Sequence, residues 1–255
     1  MVELLDRLPL GNIRKMAYLE KITEHKLVGA ILKDVTQFDL KNELKEEPSE
    51  YEYYIRNSAF YLTHFISLLD QLKNAVELLS NYDYSKNEEI GRGKHLVYNV
   101  ENYIIRIASV SDRLLQLINA IFHLGINEKD VKERFVLNNM KVDITEIPQL
   151  YKEFKKTLNQ NDGNRNAIVH RHSIVDKKLT QIEVFYHPEL VKEYFEKTDS
   201  EEIEKFKLIR KNALSNLIKK TKTEFNNQIQ NCAETIIPVF DLLEVRYKRM
   251  INTLE

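Results

Sequence analysis

The strongest pattern along the chain is an apolar stripe that advances in steps of three and four. From Phe65 it passes through Leu69, Leu72, Val76 and Leu79, and Tyr51, Tyr54, Ile55, Ser58 and Leu62 extend it backward. That spacing keeps one face of a 3.6-residue helix apolar. It predicts a helix from about Ser49 to Leu79, opened by Pro48-Ser49 and stopped by the polar run Asn81 to Asn87. A second stripe, Val97, Val100, Ile104, Ile107, Ser111, Leu114, Ile118 and Ile121, ends near Gly125. Two long helices joined by a short polar loop are expected to pack antiparallel, and Gly91 and Gly93 are read as part of that loop.

Shorter elements follow. Asn127 introduces an amphipathic piece reaching about Leu137, and Ile147, Leu150, Tyr151, Phe154 and Leu158 mark a helix over about 146–158. The segment Asn159 to Asn164 breaks the pattern. Between Leu179 and Tyr186, Ile182, Val184 and Tyr186 alternate with Gln181 and Glu183, which reads as a short strand or extended excursion. Pro188 opens a helix to about Glu196. Ser200 caps a long one whose apolar positions run from Ile203 to Ile236, with a kink expected at Pro238. The fold class is therefore all-α, a helical bundle built on two long antiparallel helices. An N-terminal helical arm occupies residues 1–48, the core 49–178 and a C-terminal helical extension 179–255, all in one compact unit.

Composition narrows the picture further. Six Gly and five Pro in 255 residues are too few for an all-β chain. A hydrophobic fraction of 43% with 30% charged residues excludes wholesale disorder. Cys232 is the only cysteine, so neither a disulfide framework nor a thiolate metal site is available. That cysteine usage, with no apolar leader at Met1 to Leu10 and no stretch of membrane-span length, makes a cytoplasmic protein without membrane contact the expectation. A net charge of −1 argues against coating nucleic acid by bulk electrostatics, although Lys205 to Lys222 gathers seven basic residues and no acid. A solvated helix face is the ordinary meaning of such a run.

Most catalytic signatures are absent, including Gly-rich phosphate loops and metal-ligand spacings, so no cofactor and no metal are expected. Of seven histidines, His64 and His123 lie on or near apolar stripes and read as structural, and Cys232 reads as core filler. His170 and His172 differ because of what precedes them. Arg165 falls where a helix is expected to open, just after Asp162-Gly163-Asn164, and a guanidinium beside exposed helix N–H groups suits a phosphate. Asn166 and His170, four residues apart, share a helical face that Arg165 is long enough to reach.

The run Arg165-Asn166-Ala167-Ile168-Val169-His170 resembles the Arg-x(4 to 6)-His signature of the HEPN superfamily, including the polar residue that often follows the arginine. The two long helices ahead of it are similar to that family's architecture, and the resemblance covers roughly Ser49 to Asp176. It implies metal-independent endoribonuclease chemistry, in which a 2′-OH attacks the adjacent phosphate. Arg165, Asn166 and His170 would be catalytic, RNA would be the substrate, and a homodimer would bring two such sets into one composite cleft. A toxin-like or antiviral defence setting and a regulatory protein partner are implied in the same way. His172 also satisfies the spacing, but on a continuous helix its two-residue offset turns it about 200° from His170, which makes it auxiliary. A carboxylate on the second long helix, Asp112 in preference to Glu101, is a further auxiliary candidate for holding Arg165. HEPN toxins paired with nucleotidyltransferase antitoxins tend to carry Tyr where His172 stands, so control by tyrosine modification there is ruled out. The competing readings are a non-catalytic HEPN-like module binding nucleotide, RNA or a protein, and a structural helical adaptor.

Overall fold

The computed structural model describes residues 17–37, 48–79, 91–158 and 176–255. These residues form ten α-helices and one short 3-10 turn, with no strand among them. In chain order the helices are α1 (Ala17–Thr23), α2 (Lys26–Val35), α3 (Glu50–Leu78), α4 (Arg92–Ile121), α5 (Glu133–Leu137), α6 (Met140–Asp143), α7 (Ile147–Leu158), α8 (Lys177–Phe185), α9 (Pro188–Lys197) and α10 (Ser200–Leu254). The 3-10 turn, Glu128–Asp130, precedes α5.

Two compact units emerge. The first takes Met1–Gln71, Ala108–Gln160 and Ile229–Glu255, and the second Leu72–Ile107 and Asn161–Gln228. In the first unit the stripes close on an aromatic core. Tyr54 stacks on Tyr247 with centroids 5.6 Å apart, and Phe65 meets Phe240 at 5.6 Å. The polar tips find partners as buried hydroxyls must. Tyr54 donates to the Ile121 carbonyl at 2.9 Å, which brings the start of α3 to the end of α4 as an antiparallel pair requires. Tyr247 donates to Asp34 at 2.9 Å and so ties α10 to α2. On α7, Ile147, Tyr151, Phe154 and Leu158 are all buried, and each such large apolar side chain contributes about 1.5–3 kcal/mol.

The end of α4 is fixed by local chemistry. His123 and Gly125 take left-handed backbone angles, φ 50° and 69°, that stop the helix. The Asn119 side chain then clamps the departing chain by donating to the Ile126 carbonyl at 2.9 Å and accepting from its N–H at 3.2 Å.

The second unit has a smaller centre. Tyr103 stacks flat on Phe225, centroids 3.6 Å apart, and its hydroxyl reaches the Phe225 carbonyl and the Gln228 side chain, both at 3.1 Å. Arg210 packs over the rings of Tyr186, Phe195 and Phe206 at 5.1 to 5.8 Å.

Three sequence expectations change here. The stretch 179–186 is not a strand or extended excursion but the helix α8. The Asp176 carboxylate accepts from the Lys178 and Leu179 N–H groups at 2.9 and 3.0 Å, and the helix buries Leu179 and Ile182 three residues apart. Gly93 is not in a loop. It sits in the first turn of α4, where a Cβ would come within 2.7 Å of the Glu183 Cα, so its role is to let two helices approach. The cap of α10 is Asp199, whose carboxylate accepts from the Glu202 N–H at 2.9 Å, and Ser200 is already helical.

Candidate active site

Arg165, Asn166, His170 and His172 lie outside the described residues. What the structure fixes is the frame downstream of them. The chain re-enters at Asp176, whose capping bonds anchor the start of α8 in the second unit. His170 stands six positions before Asp176 in the chain.

Asp112 is exposed on α4 rather than enclosed by apolar neighbours. It makes no hydrogen bond or ion pair among the described residues. Its charge is felt by Tyr151, whose phenol pKa is held above its ordinary value first by burial, then by Glu133 and Asp112. Glu101 is half-buried on the same helix.

Several other titratable groups have structural work. Cys232 is buried, with its Sγ 3.4 Å from the Thr157 hydroxyl, and burial pushes its thiol up to about 11, so it is no nucleophile near neutral pH. His64 packs edge-on against Phe60 at 4.3 Å, and burial followed by the Arg113 charge lowers its pKa. The basic run of α10 is partly neutralised: Lys205 pairs with Glu201 at 2.7 Å and Lys207 with Glu204 at 2.6 Å.

Two groupings had no signal in the sequence. The first joins His25, Asp241 and Glu244 in the first unit, with ligand atoms within 4.8 Å of one another. Its hydrogen bonds argue for a structural role. His25 Nδ1 accepts from the Leu27 N–H at 3.1 Å and caps α2, which leaves the ring proton on Nε2, donated to Asp241 at 3.0 Å. A metal would need that same Nε2 lone pair. Glu244 is meanwhile paired with Lys248 at 2.5 Å. The second grouping is a cleft in the second unit where Lys178 of α8 and Lys220 of α10 face a common apolar floor. Their separation in sequence leaves no local spacing to read.

No helix among the described residues is long and apolar enough to cross a membrane. A family model, the Cthe2314-like HEPN, matches residues 54–244. No curated protein and no solved structure matches the chain.

Proposed function

The chain belongs to the Cthe2314-like HEPN family, and from that premise we propose that it is a metal-independent endoribonuclease acting through Arg165, Asn166 and His170. The observation that carries this reading is that the run Arg165 to His170, which resembles the Arg-x(4 to 6)-His signature of the HEPN superfamily, falls inside the matched segment 54–244.

The chemistry suits these side chains. The 2′-OH of one nucleotide attacks the adjacent phosphorus while an imidazole takes its proton. The P–O5′ bond breaks, and the departing oxygen collects a proton from an imidazolium, leaving a 2′,3′-cyclic phosphate and a 5′-OH. Arg165 offsets the charge that builds on the phosphorane-like transition state, and Asn166 orients one of its oxygens. A base and an acid are both required, and one motif supplies one clear catalytic histidine. The reading therefore includes a homodimer in which two His170 side chains share the two proton transfers. His172 and Asp112 hold auxiliary places in it, to be assessed by substitution. Cleavage of cellular RNA by such an enzyme suits a toxin-like or antiviral defence role.

The test is cleavage of mixed RNA by the purified protein in excess EDTA, followed by end-group analysis. Fragments with cyclic phosphate and 5′-OH ends are expected, from a protein that is dimeric by light scattering. Products with 5′-phosphate ends formed only with magnesium would remove the reading. An active monomer would remove the composite site alone.

A further inference from the structure

A groove in the second unit has no part in the chemistry above. Its larger lobe, about 260 Å³, is floored by Ile182, Ala213 and Leu217 and rimmed by Lys178, Gln181, Asn216 and Lys220. A second lobe of about 180 Å³ shares Lys178, Leu217 and Lys220 and continues over Leu179, Ile104 and Phe225. The two lysines thus stand where the lobes meet.

Acidic residues line only one of the two lobes: Asp176 and Glu224 stand in the smaller one. No carboxylate lines the larger lobe, and the Lys178 ammonium has no hydrogen bond or ion pair among the described residues. Lys220 pairs with Glu224, itself in the lining of the smaller lobe, at 3.4 Å. In the smaller lobe the Asp176 carboxylate is already engaged by two backbone N–H groups. An anion in the larger lobe meets the positive charge of both lysines and no carboxylate of its lining. Lysine serves phosphate as a compact point charge. Ile182 and Leu217 offer a surface for a flat base, and the amides of Gln181 and Asn216 supply donors and acceptors for sugar or base edges. The volume sets the size of the occupant. Pockets for drug-sized ligands run to about 300–1,000 Å³, so a lobe of about 260 Å³ is on the scale of a single nucleotide unit.

We infer that the Lys178–Lys220 groove binds a nucleoside phosphate, and that its occupant is a nucleotide of the RNA strand flanking the cleaved bond. Asp176, which lines the groove, follows His170 by six positions in the chain. The inference rests on the ribonuclease reading for the source of the nucleotide. The groove itself stands on its lining.

Binding is measured in the His170→Ala protein, so that RNA survives, with a short labelled oligoribonucleotide in one arm and adenosine monophosphate in the other, across a range of salt. In that background Lys178→Gln with Lys220→Gln is expected to weaken the oligonucleotide by about tenfold or more. The slope of log K against log salt should become shallower by about 1.4, or about 0.7 for each single-strand phosphate that a lysine no longer neutralises. The pair Lys192→Gln and Lys248→Gln makes the same charge change outside the groove lining and is expected to leave affinity nearly unchanged. Oligonucleotide affinity and salt slope equal to the parent's in the groove variant would overturn the inference, and RNA cleavage by the His170-bearing protein would then show that the ribonuclease reading survives alone. If adenosine monophosphate binds in a lysine-dependent way and the oligonucleotide does not bind, the RNA assignment falls, and the ribonuclease reading falls with it only if cleavage is also absent.

Discussion

The two halves of α10 are built from similar residues and put to different use. From Ile229 onward the helix buries Ile229, Cys232, Ile236, Val239, Phe240, Leu243 and Tyr247. From Ser200 to Gln228 it buries Leu214 and Phe225 as its only large apolar side chains, with Thr221 and Gln228 beside them, and leaves Leu208 and Ile209 more than half exposed. The basic run and the groove lysine Lys220 belong to this sparse half. A helix need not be buried evenly to be continuous, because backbone hydrogen bonds propagate cheaply once a packed segment has nucleated them. The dense half supplies stability, and the sparse half is free to carry polar groups whose value lies in what they contact.

The sharpest way to break this contrast is truncation on the dense side. Phe240→Ala removes a fully buried ring that touches both Phe65 and His25, and a loss of about 3–5 kcal/mol is expected by denaturant unfolding. Ile209→Ala on the sparse half should change stability by no more than about 0.5 kcal/mol. Comparable losses at the two positions would erase the distinction.

A smaller effect probes packing in the second unit. Gly93→Ala places a methyl 2.7 Å from the Glu183 backbone, and overpacking of this kind costs about 1–3 kcal/mol. The same substitution at a solvated helix glycine would stabilise, so the sign of the change in melting temperature decides whether α4 and α8 meet as described.

The smallest expected effect depends on pH. Burial lowers the pKa of His95 in the second unit and, with Arg113, that of His64 in the first, each from an ordinary value of 6.5. In acid the unfolded chain binds protons that the folded chain resists. Stability is therefore fully present above about pH 6.5 and declines as pH falls through the lowered folded values. His95→Gln should remove part of that acid-side loss. An unchanged pH profile would show that His95 titrates freely.

Most of the helices were legible because burying one stripe demands the three-four alternation, and α3, α4, α7, α9 and α10 all carry it. The departures share a cause. Over 179–186 the alternation of Gln181 and Glu183 with apolar neighbours imitates a strand, and only the capping bonds of Asp176 and the burial of Leu179 with Ile182 decide for a helix. Gly93 carries the usual mark of a loop, but its reason is a close approach by a segment distant in sequence. The candidate site divides the same way. Arg165 and His170 are a local spacing, visible in one dimension. Lys178 with Lys220, and His25 with Asp241, meet only through folding.

The motif series tests the central claim by assigning different failures to different residues. Arg165→Ala should weaken RNA binding and turnover together, and Asn166→Ala should cost less because helix N–H groups can replace an orienting amide. The most direct measurement is single-turnover RNA cleavage in EDTA by wild type and by His170→Ala, each checked for folding by circular dichroism. The account predicts a folded variant that still binds RNA and cleaves it about 10² times more slowly or worse. Cleavage at the wild-type rate, or a variant that unfolds, would make His170 a structural histidine and contradict the account.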